Sequence, residues 1–581
     1  MSFPAFHGCH RGSRQVGNIK PRLTSALRVE AGIHALLWHR ITTAKLRLVT
    51  GMAQSKRYMI LVALAVALSG FVWGFDATVI SGAVPFIQKY FNLSGDRGDF
   101  LLGLAVSCLG WGVLGGTAVA GFFSDRFGRK KVLITTAVLF VATALASALT
   151  THFTVFVIAR ILGGVAVGGA ILIAPVYIAE ISPPKQRGSL VSLNQLMIVL
   201  GISASFFSNY FLLGVGENNW RWMLGMDAVP AALYFLFLFA VPESPRWLFG
   251  QGQPERAKEI LIKTCGADQA EAEVRNIRQS FAERAPGVRV SGLFSRKMSL
   301  VMGIALVIAF FQQITGINAI FYYLPTIFVQ AGGGIHAAFW QAVLVGLVNL
   351  GMTFVAIWLV DRLGRKPLLV IGATGMALSL LTCSWAFHDS SYQLTEKSFV
   401  VLQENKVPAG LIADLKNSDK GVFATEKEYI SDLEKQFGAE RLKPYHDSLV
   451  TAGLNIRASL VLFAIIGFVA SFAISLGPVM WVLLSEIFPN QYRGLAISVA
   501  GFWNATVSAS VTLIFPWELS HWGSAGTFLG YGLMAVAALL FILLFIPETK
   551  GKTLEELEVF LMRKERDAHG KTPAELSHEI N

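Results

Sequence analysis

Long apolar runs alternate with short polar connections from about residue 58 to residue 546. A bilayer core needs about 20 mostly apolar residues per helix, so runs of this length predict membrane-spanning helices. The runs are continuous and do not alternate apolar with polar residues, which excludes the strands of a β-barrel. We predict twelve spans, near 58–81, 100–123, 131–150, 153–178, 189–213, 222–241, 299–330, 337–360, 367–387, 457–484, 494–516 and 525–546.

The connections that follow the even-numbered spans are rich in Lys and Arg. One of them, the loop 242–298 after the sixth span, carries ten such residues. Because positively charged loops stay in the cytoplasm, this face of the protein, here called the basic side, is predicted to be cytoplasmic. Both chain termini fall on the same side. The opposite face carries the long polar stretch 388–456 and is called the insertion side.

These features divide the chain into five parts, the fourth of which contains the insertion. We predict a six-helix half over 57–241, a cytoplasmic linker with short helices over 242–298, and a second six-helix half over 299–558. The insertion 388–456 is expected to be a solvated cap rather than a binding module. Residues 1–56 form a basic cytoplasmic tail, either disordered or preceding a true start at Met52, and 559–581 form a second tail.

Composition narrows the class of protein further. The 581 residues are 54% hydrophobic and only 15% charged, which excludes a soluble or a disordered chain. The net charge of +12 fits cytoplasmic loops of a membrane protein better than nucleic-acid binding. The four cysteines have no metal or redox spacing, and no Walker loop or catalytic constellation is present. We therefore expect neither an enzyme nor a metal or cofactor site.

Three short motifs occur twice, once in each half. They are Asp-Arg-x-Gly-Arg-Lys at 125–130 and 361–366, Glu-x-x-Pro-x-x-x-Arg-Gly at 180–188 and 486–494, and Pro-Glu-Ser/Thr at 242–244 and 547–549. Two halves with matching motifs are typical of a transporter whose site lies between the repeats.

The set of motifs resembles the sugar porter family of the major facilitator superfamily over roughly 57–560. Further matching segments are Pro-Glu-Ser-Pro-Arg-Trp at 242–247, Gln-Gln-x-x-Gly-Ile-Asn at 312–318 and Pro-Glu-Thr-Lys-Gly-Lys-Thr at 547–553. The likeness is greatest to bacterial proton-coupled xylose and glucose porters. It implies the major facilitator fold, an all-α membrane protein with twelve helices in two pseudo-symmetric halves.

Two of the charged residues within predicted spans are candidates for function. Asp76 is in the first and Arg160 in the fourth, and ionisable groups at such depth are functional candidates. A nearby Arg favours the ionised carboxylate and burial favours the neutral one, so a changing separation would change proton affinity. The family resemblance assigns these positions to proton coupling. A static structural ion pair is the alternative.

Neutral amides in the seventh span suggest sugar recognition, because hydroxyl groups need neutral donors and acceptors. A kink at Gly316 would bring those on either side of it to one face. Tyr322, one turn beyond Asn318, is a further candidate. By resemblance, the sugar-contacting positions are Gln195, Gln312, Gln313, Asn318, Asn349 and Trp481, and Asn504 matches a polar contact position. The alternative for each amide is a helix–helix hydrogen bond. Ile202, Ala505 and Ser508 depart from common family residues, which affects the choice of sugar.

The remaining candidates concern movement between states. Gly477 and Pro478 should break the tenth span, and the family gates access there; a static kink is the alternative. A latch of ion pairs on the basic side would favour the outward-facing state, and topology signalling is its alternative. Its candidates are Asp125, Arg126, Arg129, Glu180, Arg187, Glu243, Arg246, Asp361, Arg365, Glu486 and Arg493.

Together these observations predict a monomeric, multi-pass protein of the plasma (inner) membrane. It would carry a pentose or hexose by alternating access, with the proton as coupling ion and the lipid bilayer as its surroundings. A facilitative sugar or polyol (myo-inositol) uniporter and a sugar sensor that binds without transporting are the alternatives. The sequence does not name the sugar.

Overall fold

The computed structural model describes residues 57–282, 290–404, 407–418, 421–423, 426–489 and 491–550. The tails predicted over 1–56 and 559–581 lie outside the described residues. Nearly all of the described chain is helical, and no peptide bond in it is cis. The protein is an all-α membrane protein, as the apolar runs predicted.

The N-terminal half contains the first six spans. They are formed by α1 (Arg57–Tyr90), α2 (Gly95–Phe127), α3 (Arg129–Leu149), α4 (Phe153–Ile181), α5 (Pro184–Leu212), and the pair α6 (Asn219–Met226) and α7 (Ala228–Ala240). A 3₁₀ turn, Leu213–Val215, follows α5. Glycines let α2 and α4 pack closely: a Cβ on Gly112 would overlap the carbonyl oxygen of Ile161.

The basic-side linker between the halves contains three helices. They are α8 (Pro245–Gly250), α9 (Pro254–Cys265) and α10 (Ala267–Ala282), and a 3₁₀ turn, Val290–Phe294, precedes the seventh span. Apolar side chains of α9 and α10, among them Leu261 and Ile277, belong to one small core.

The C-terminal half has two spans built from broken helices. The seventh span is formed by α11 (Arg296–Ile314), α12 (Ile317–Tyr322) and α13 (Leu324–Gln330), followed by α14 (Ile335–Leu363) and α15 (Arg365–His388). The tenth consists of α21 (Ala458–Ile474) and α22 (Leu476–Ile487), and α23 (Arg493–Phe545) completes the half.

The last helix makes two crossings. With 53 residues, α23 would be about 80 Å long if straight, against a bilayer core of about 30 Å. It is interrupted at Gly523, whose φ of 65° lies outside the helical region. The eleven helices long enough to span a membrane among the described residues therefore give twelve crossings.

The insertion between α15 and α21 is a small folded unit. Its elements are β1 (Ser391–Tyr392), α16 (Glu396–Glu404), α17 (Ala409–Lys416), α18 (Glu426–Phe437), α19 (Ala439–Leu442), a 3₁₀ turn (Lys443–Tyr445), α20 (His446–Gly453) and β2 (Leu454–Asn455). The strands pair antiparallel and close the unit at its base. Buried apolar side chains such as Leu402, Leu415 and Leu433 form a core separate from that of the membrane region.

The two halves meet on the insertion side. One apolar core there contains residues of both, for example Phe206 of α5 and Phe321 of α12, whose ring centroids are 6.2 Å apart. Ser203 Oγ in α5 donates a 2.9 Å hydrogen bond to the carbonyl oxygen of Gly346 in α14. A second core, nearer the basic side, is built almost wholly from the N-terminal half. The described conformation is thus closed on the insertion side.

Candidate functional site

A buried ion pair lies in the middle of the N-terminal half. Asp76 of α1 and Arg160 of α4 are each 4% exposed, and an Arg160 Nη1 proton is donated to Asp76 Oδ1. Arg160 Nη2 also donates to the carbonyl oxygen of Asp76 at 3.2 Å. The structure therefore brings together the two intramembrane charges that the sequence selected. A guanidinium cannot lose its proton in a protein, so the carboxyl is the group of this pair that can change charge.

A second buried acid, which the sequence analysis missed, lies beside this pair. Asp227 is at the junction of α6 and α7, is 3% exposed, and interacts electrostatically with both Asp76 and Arg160. Its Oδ1 atom has no hydrogen-bond partner in the described part of the chain. The signal was present, because an acid inside an apolar run is a functional candidate. Asp227 lies inside the predicted sixth span, 222–241, and the sequence analysis did not single it out.

Neutral amides of the C-terminal half form a hydrogen-bonded cluster. Asn504 Nδ2 donates to Gln312 Oε1 at 2.8 Å, and Gln313 Nε2 donates to Asn504 Oδ1 at 3.1 Å. Asn318 Nδ2 lies 2.9 Å from Gln313 Oε1 and 2.7 Å from Ser508 Oγ. Ser508 therefore belongs to the cluster, although the sequence analysis noted it only as a departure. We call these five residues the amide cluster.

The break in the seventh span makes this cluster possible. Gly316 has a φ of 86°, in the left-handed region that glycine adopts readily, and it separates α11 from α12. Gln312 and Gln313 precede the break and Asn318 follows it. On a continuous helix the first two could not both share a direction with Asn318, since successive residues are about 100° apart.

The other predicted sugar-site residues lie apart from the cluster's hydrogen bonds. Gln195 of α5 is exposed and Asn349 of α14 is buried, and in the described chain neither side chain has a hydrogen-bond partner. Trp481 of α22 is 40% exposed, and Tyr322 packs against the cores of both halves. Their predicted roles in sugar binding stay predictions.

The tenth span breaks earlier than predicted. The non-helical residue is Ser475, with φ −127° and ψ −101°, whereas Gly477 and Pro478 lie in the first turn of α22. Proline fits a first turn because it has no N–H to donate, and the bond it cannot make would have ended at Ile474, the last residue of α21. Gln312 Nε2 donates to the carbonyl oxygen of Leu476 at 2.7 Å, so the break touches the amide cluster.

All three repeated motifs converge on one ion-pair cluster at the basic-side end of the N-terminal half. Arg129 Nη2 and Nε donate to the two carboxylate oxygens of Glu180, at 3.1 and 3.2 Å. Glu243 Oε1 accepts from the backbone N–H groups of Arg129 and Lys130, at 3.0 and 3.1 Å. Ser244 Oγ donates to Glu180, and Arg129 also pairs with Asp125 at 3.0 Å.

The C-terminal half repeats this cluster. Arg365 donates to Glu486 at 2.7 and 3.2 Å, and Thr549 Oγ1 donates to Glu486 at 2.6 Å. Glu548, which the sequence analysis did not select, accepts from the backbone N–H groups of Arg365 and Lys366. Burial raises the pKa of Glu548, but backbone N–H donors, including that of Lys550, outweigh it and hold the pKa below its usual value.

Four other latch candidates have different surroundings. Arg187 pairs with Glu273 of the linker helix α10 at 3.6 Å, and Arg493 Nε has no hydrogen-bond partner among the described residues. Arg187 thus pairs with the linker rather than with Glu180, Glu243 or Glu486, and Arg493 Nε donates to none of these three. The remaining two make weaker contacts: Arg246 Nη2 lies 3.5 Å from Ser280 Oγ, and Arg126 lies over the Phe127 ring. The side chain of Asp361 lies outside the described residues.

Within the described residues, no group of three His, Cys, Asp or Glu side chains is arranged to hold a metal ion. The arrangement instead supports two kinds of chemistry: a carboxyl group that can gain or lose a proton beside a fixed cation, and neutral amides that can exchange hydrogen bonds with hydroxyl groups.

Comparison with known proteins identifies similar chains. A family model described as "Sugar (and other) transporter" matches residues 62–401 and 448–561. The arabinose-proton symporter of Bacillus subtilis strain 168 is 33% identical over 512 residues, covering 87% of this chain and 96% of that one. The D-xylose-proton symporter of Escherichia coli strain K12 is 35% identical over 537 residues, covering 86% and 95%.

Solved structures give the same picture. A partially occluded, inward-open structure of the xylose transporter from Escherichia coli matches with a TM-score of 0.66 and 31% identity, covering 86% of this chain and all of that one. The stretch 402–447, within the insertion, lies outside the matched family model.

Proposed function

The chain belongs to the sugar porter family of the major facilitator superfamily, and on that premise we propose that it transports a monosaccharide, a pentose or a hexose, together with a proton. The observation that carries the proposal is the placement of two sites. A protonatable carboxyl beside a buried arginine lies in one half, and a cluster of neutral amides lies in the other.

Proton coupling would use the ion pair and the second acid. When Asp76 accepts a proton from outside, its attraction to Arg160 falls and its repulsion of Asp227 ends, so that Asp227 can ionise and serve the arginine as a second carboxylate. Without that second acid the guanidinium would be left buried and unpaired, which costs several kcal/mol. The arginine can thus move between two partners without losing all compensation.

Sugar binding would use the amide cluster. The side-chain amides of the cluster donate to one another, to Ser508 and to backbone carbonyl oxygens. Sugar hydroxyls can therefore replace hydrogen-bond partners that already exist. Gln195, Asn349, Tyr322 and Trp481 would add contacts from neighbouring helices, with the aromatic rings covering the apolar face of the sugar.

Alternating access would move the halves against each other. The conformation described is closed on the insertion side, which the positive-inside rule places outside the cell. We therefore assign it to the inward-facing part of the cycle. Opening at the tenth-span break near Gly477 and Pro478 would admit sugar from outside, while the basic-side ion pairs bias the balance between states.

The proposal has five further parts. The protein works as a monomer, both termini are cytoplasmic, the proton is its only coupling ion, and no catalytic step or cofactor is involved. Its place is the plasma (inner) membrane of its cell.

Counterflow in proteoliposomes tests the function. The purified protein is supplied with xylose, arabinose, glucose, galactose, fructose or myo-inositol, and the best substrate is then followed with and without an inward proton gradient. We expect counterflow of at least one monosaccharide and uphill accumulation only with the gradient. Counterflow without accumulation would make the protein a uniporter, transport of myo-inositol alone would make it a polyol carrier, and binding without counterflow would make it a sensor.

A further inference from the structure

We propose that Tyr531 and Glu518 of α23 are positioning residues for the sugar site, holding the short helix α12 in place through an aromatic stack anchored on a carboxylate. The inference rests on the proposed function, because α12 carries Asn318 of the amide cluster and Tyr322.

The helix α12 cannot hold itself in position. It has six residues, and both neighbours, Gly316 and Tyr323, have non-helical backbone angles. A helix this short is unstable in isolation because each of its few hydrogen bonds must offset the cost of ordering several residues. Its position must therefore come from contacts with other elements.

One aromatic stack of α23 touches both ends of α12. At the first end, a Cβ atom on Gly316 would lie only 2.5 Å from two ring carbons of Tyr531. At the other end, the ring of Tyr323 lies 5.0 Å from that of Phe515. Phe515 in turn stacks on Tyr531, with centroids 6.2 Å apart and an angle of 14° between the planes. The three rings bridge the two breaks that flank α12.

A carboxylate fixes the stack. The hydroxyl of Tyr531, a residue 4% exposed, donates a 2.7 Å hydrogen bond to Glu518 Oε2. Glu518 precedes the Gly523 interruption of α23 and Tyr531 follows it, so the bond ties the eleventh crossing to the twelfth. A hydrogen bond to a charged acceptor is roughly twice as strong as a neutral one. Glu518 lies half-buried at the insertion-side end of the eleventh crossing, where the hydrogen bond gives its carboxylate a partner.

The consequence for the site is geometric. With α12 held, Asn318 stays within 2.9 Å of Gln313 across the Gly316 break. If the stack loosens, α12 can shift by fractions of an ångström, and the amides on the two sides of the break no longer match one sugar ring. The residues act through α12 and not by touching sugar.

The test compares four variants with wild type in lipid nanodiscs. Tyr531→Phe keeps the ring and removes the hydroxyl, Glu518→Leu removes the acceptor, and Glu518→Gln keeps an acceptor but not the charge. Ser524→Ala is the control, since it removes a 3.2 Å contact of α23 with Gln330 of the same broken span, away from α12. Sugar affinity is measured with the best substrate of the counterflow panel. Amide hydrogen exchange of residues 316–323 is measured without sugar.

We expect Tyr531→Phe and Glu518→Leu to weaken sugar binding about five- to tenfold, as loss of one hydrogen bond to a charged group implies, and to speed exchange over 316–323. Glu518→Gln should recover most of the affinity, and Ser524→Ala should resemble wild type in both measurements. Wild-type exchange and affinity in the first two variants would overturn the proposal, as would an equal effect of Ser524→Ala. If wild type binds no sugar, the proposed function fails, while the exchange measurement still tests the stack.

Discussion

The two halves are alike at their basic-side ends and unlike in their centres. At each end an arginine donates two hydrogen bonds to a glutamate, a hydroxyl donates to the same glutamate, and a second glutamate accepts two backbone N–H groups. In the centres, one half holds Asp76, Arg160 and Asp227, and the other holds only neutral amides.

The comparison indicates that the two repeats share one fold but have different functions at their centres. The two basic-side clusters are alike because each pairs charges and hydrogen-bonds helix ends at a membrane surface. The centres differ because their proposed ligands differ. A charge that is to bind and release a proton needs a permanent counter-charge nearby, whereas a neutral sugar binds best to groups with no charge to desolvate.

Removing the protonatable carboxyl group of Asp76 should have the largest effect on transport. Asp76→Asn should abolish uphill accumulation completely, because the carboxamide takes up no proton, while counterflow of sugar continues. Accumulation of labelled sugar in proteoliposomes under an inward proton gradient is the measurement. Asp96→Asn, at an acid whose side chain is 86% exposed, is the matched control and should accumulate sugar normally. Accumulation by the Asp76 variant would refute coupling at this site.

Removal of the second acid should have the next largest effect. In Asp227→Asn, Arg160 keeps Asp76 but loses its alternative partner, so release of the first bond becomes costlier. We expect proton-driven uptake to slow at least tenfold, since about 1.4 kcal/mol changes a rate tenfold. Equilibrium sugar affinity should change little. An unchanged uptake rate would reduce Asp227 to a structural residue.

The sequence predicted the membrane spans more completely than the polar residues at the centres of the two halves. The spans follow from apolar run length because a bilayer sets that length, and Gly316 was recognisable as a break. Asp227, by contrast, was recognisable only as an acid in an apolar run, and its proposed role depends on Arg160, which is 67 positions away in the chain. Ser508 likewise became a site residue through its contact with Asn318. Such contacts depend on packing between helices that are distant in the chain but belong to one half, which no local pattern contains.

The position of a helix break was also only partly predictable from the sequence. Pro478 indicated that the tenth span is interrupted. The interruption lies at Ser475, because Pro478 fits the first turn of α22. The folded insertion was read only as polar sequence. Its core forms from apolar residues spread over several short helices, too few in any one of them to mark a buried face.

Changes in the amide cluster should affect affinity and leave coupling intact. Gln313→Ala removes hydrogen bonds to Asn504 and Asn318 and should weaken sugar binding about tenfold, as loss of one to two hydrogen bonds implies. At saturating sugar, accumulation should still require the proton gradient. Binding by calorimetry and accumulation in proteoliposomes separate the two effects. A variant that binds normally but loses the gradient requirement would contradict the division between halves.

The matching end clusters should differ in how much stability they contribute. Glu180 has a side chain that is 8% exposed, and the Glu486 side chain is 28% exposed. Because charge-assisted hydrogen bonds strengthen as water is excluded, Glu180→Gln should lower thermal stability more than Glu486→Gln. We expect losses of about 1–3 and about 0–1 kcal/mol. Thermal unfolding in one detergent compares them, and equal losses would show that exposure does not decide the contribution.

The smallest expected effect is a pH dependence at the end of the C-terminal half. Backbone N–H donors hold the pKa of Glu548 below its usual value, so its carboxylate is favoured in the folded state. The stability it contributes is complete above its unfolded pKa of about 4.3 and is lost as pH falls through the lower folded pKa. The melting-temperature difference between wild type and Glu548→Gln should therefore be constant from about pH 5 to about pH 7 and shrink below about pH 4. A difference that persists at the lowest pH would mean that shape rather than charge explains the contribution of Glu548.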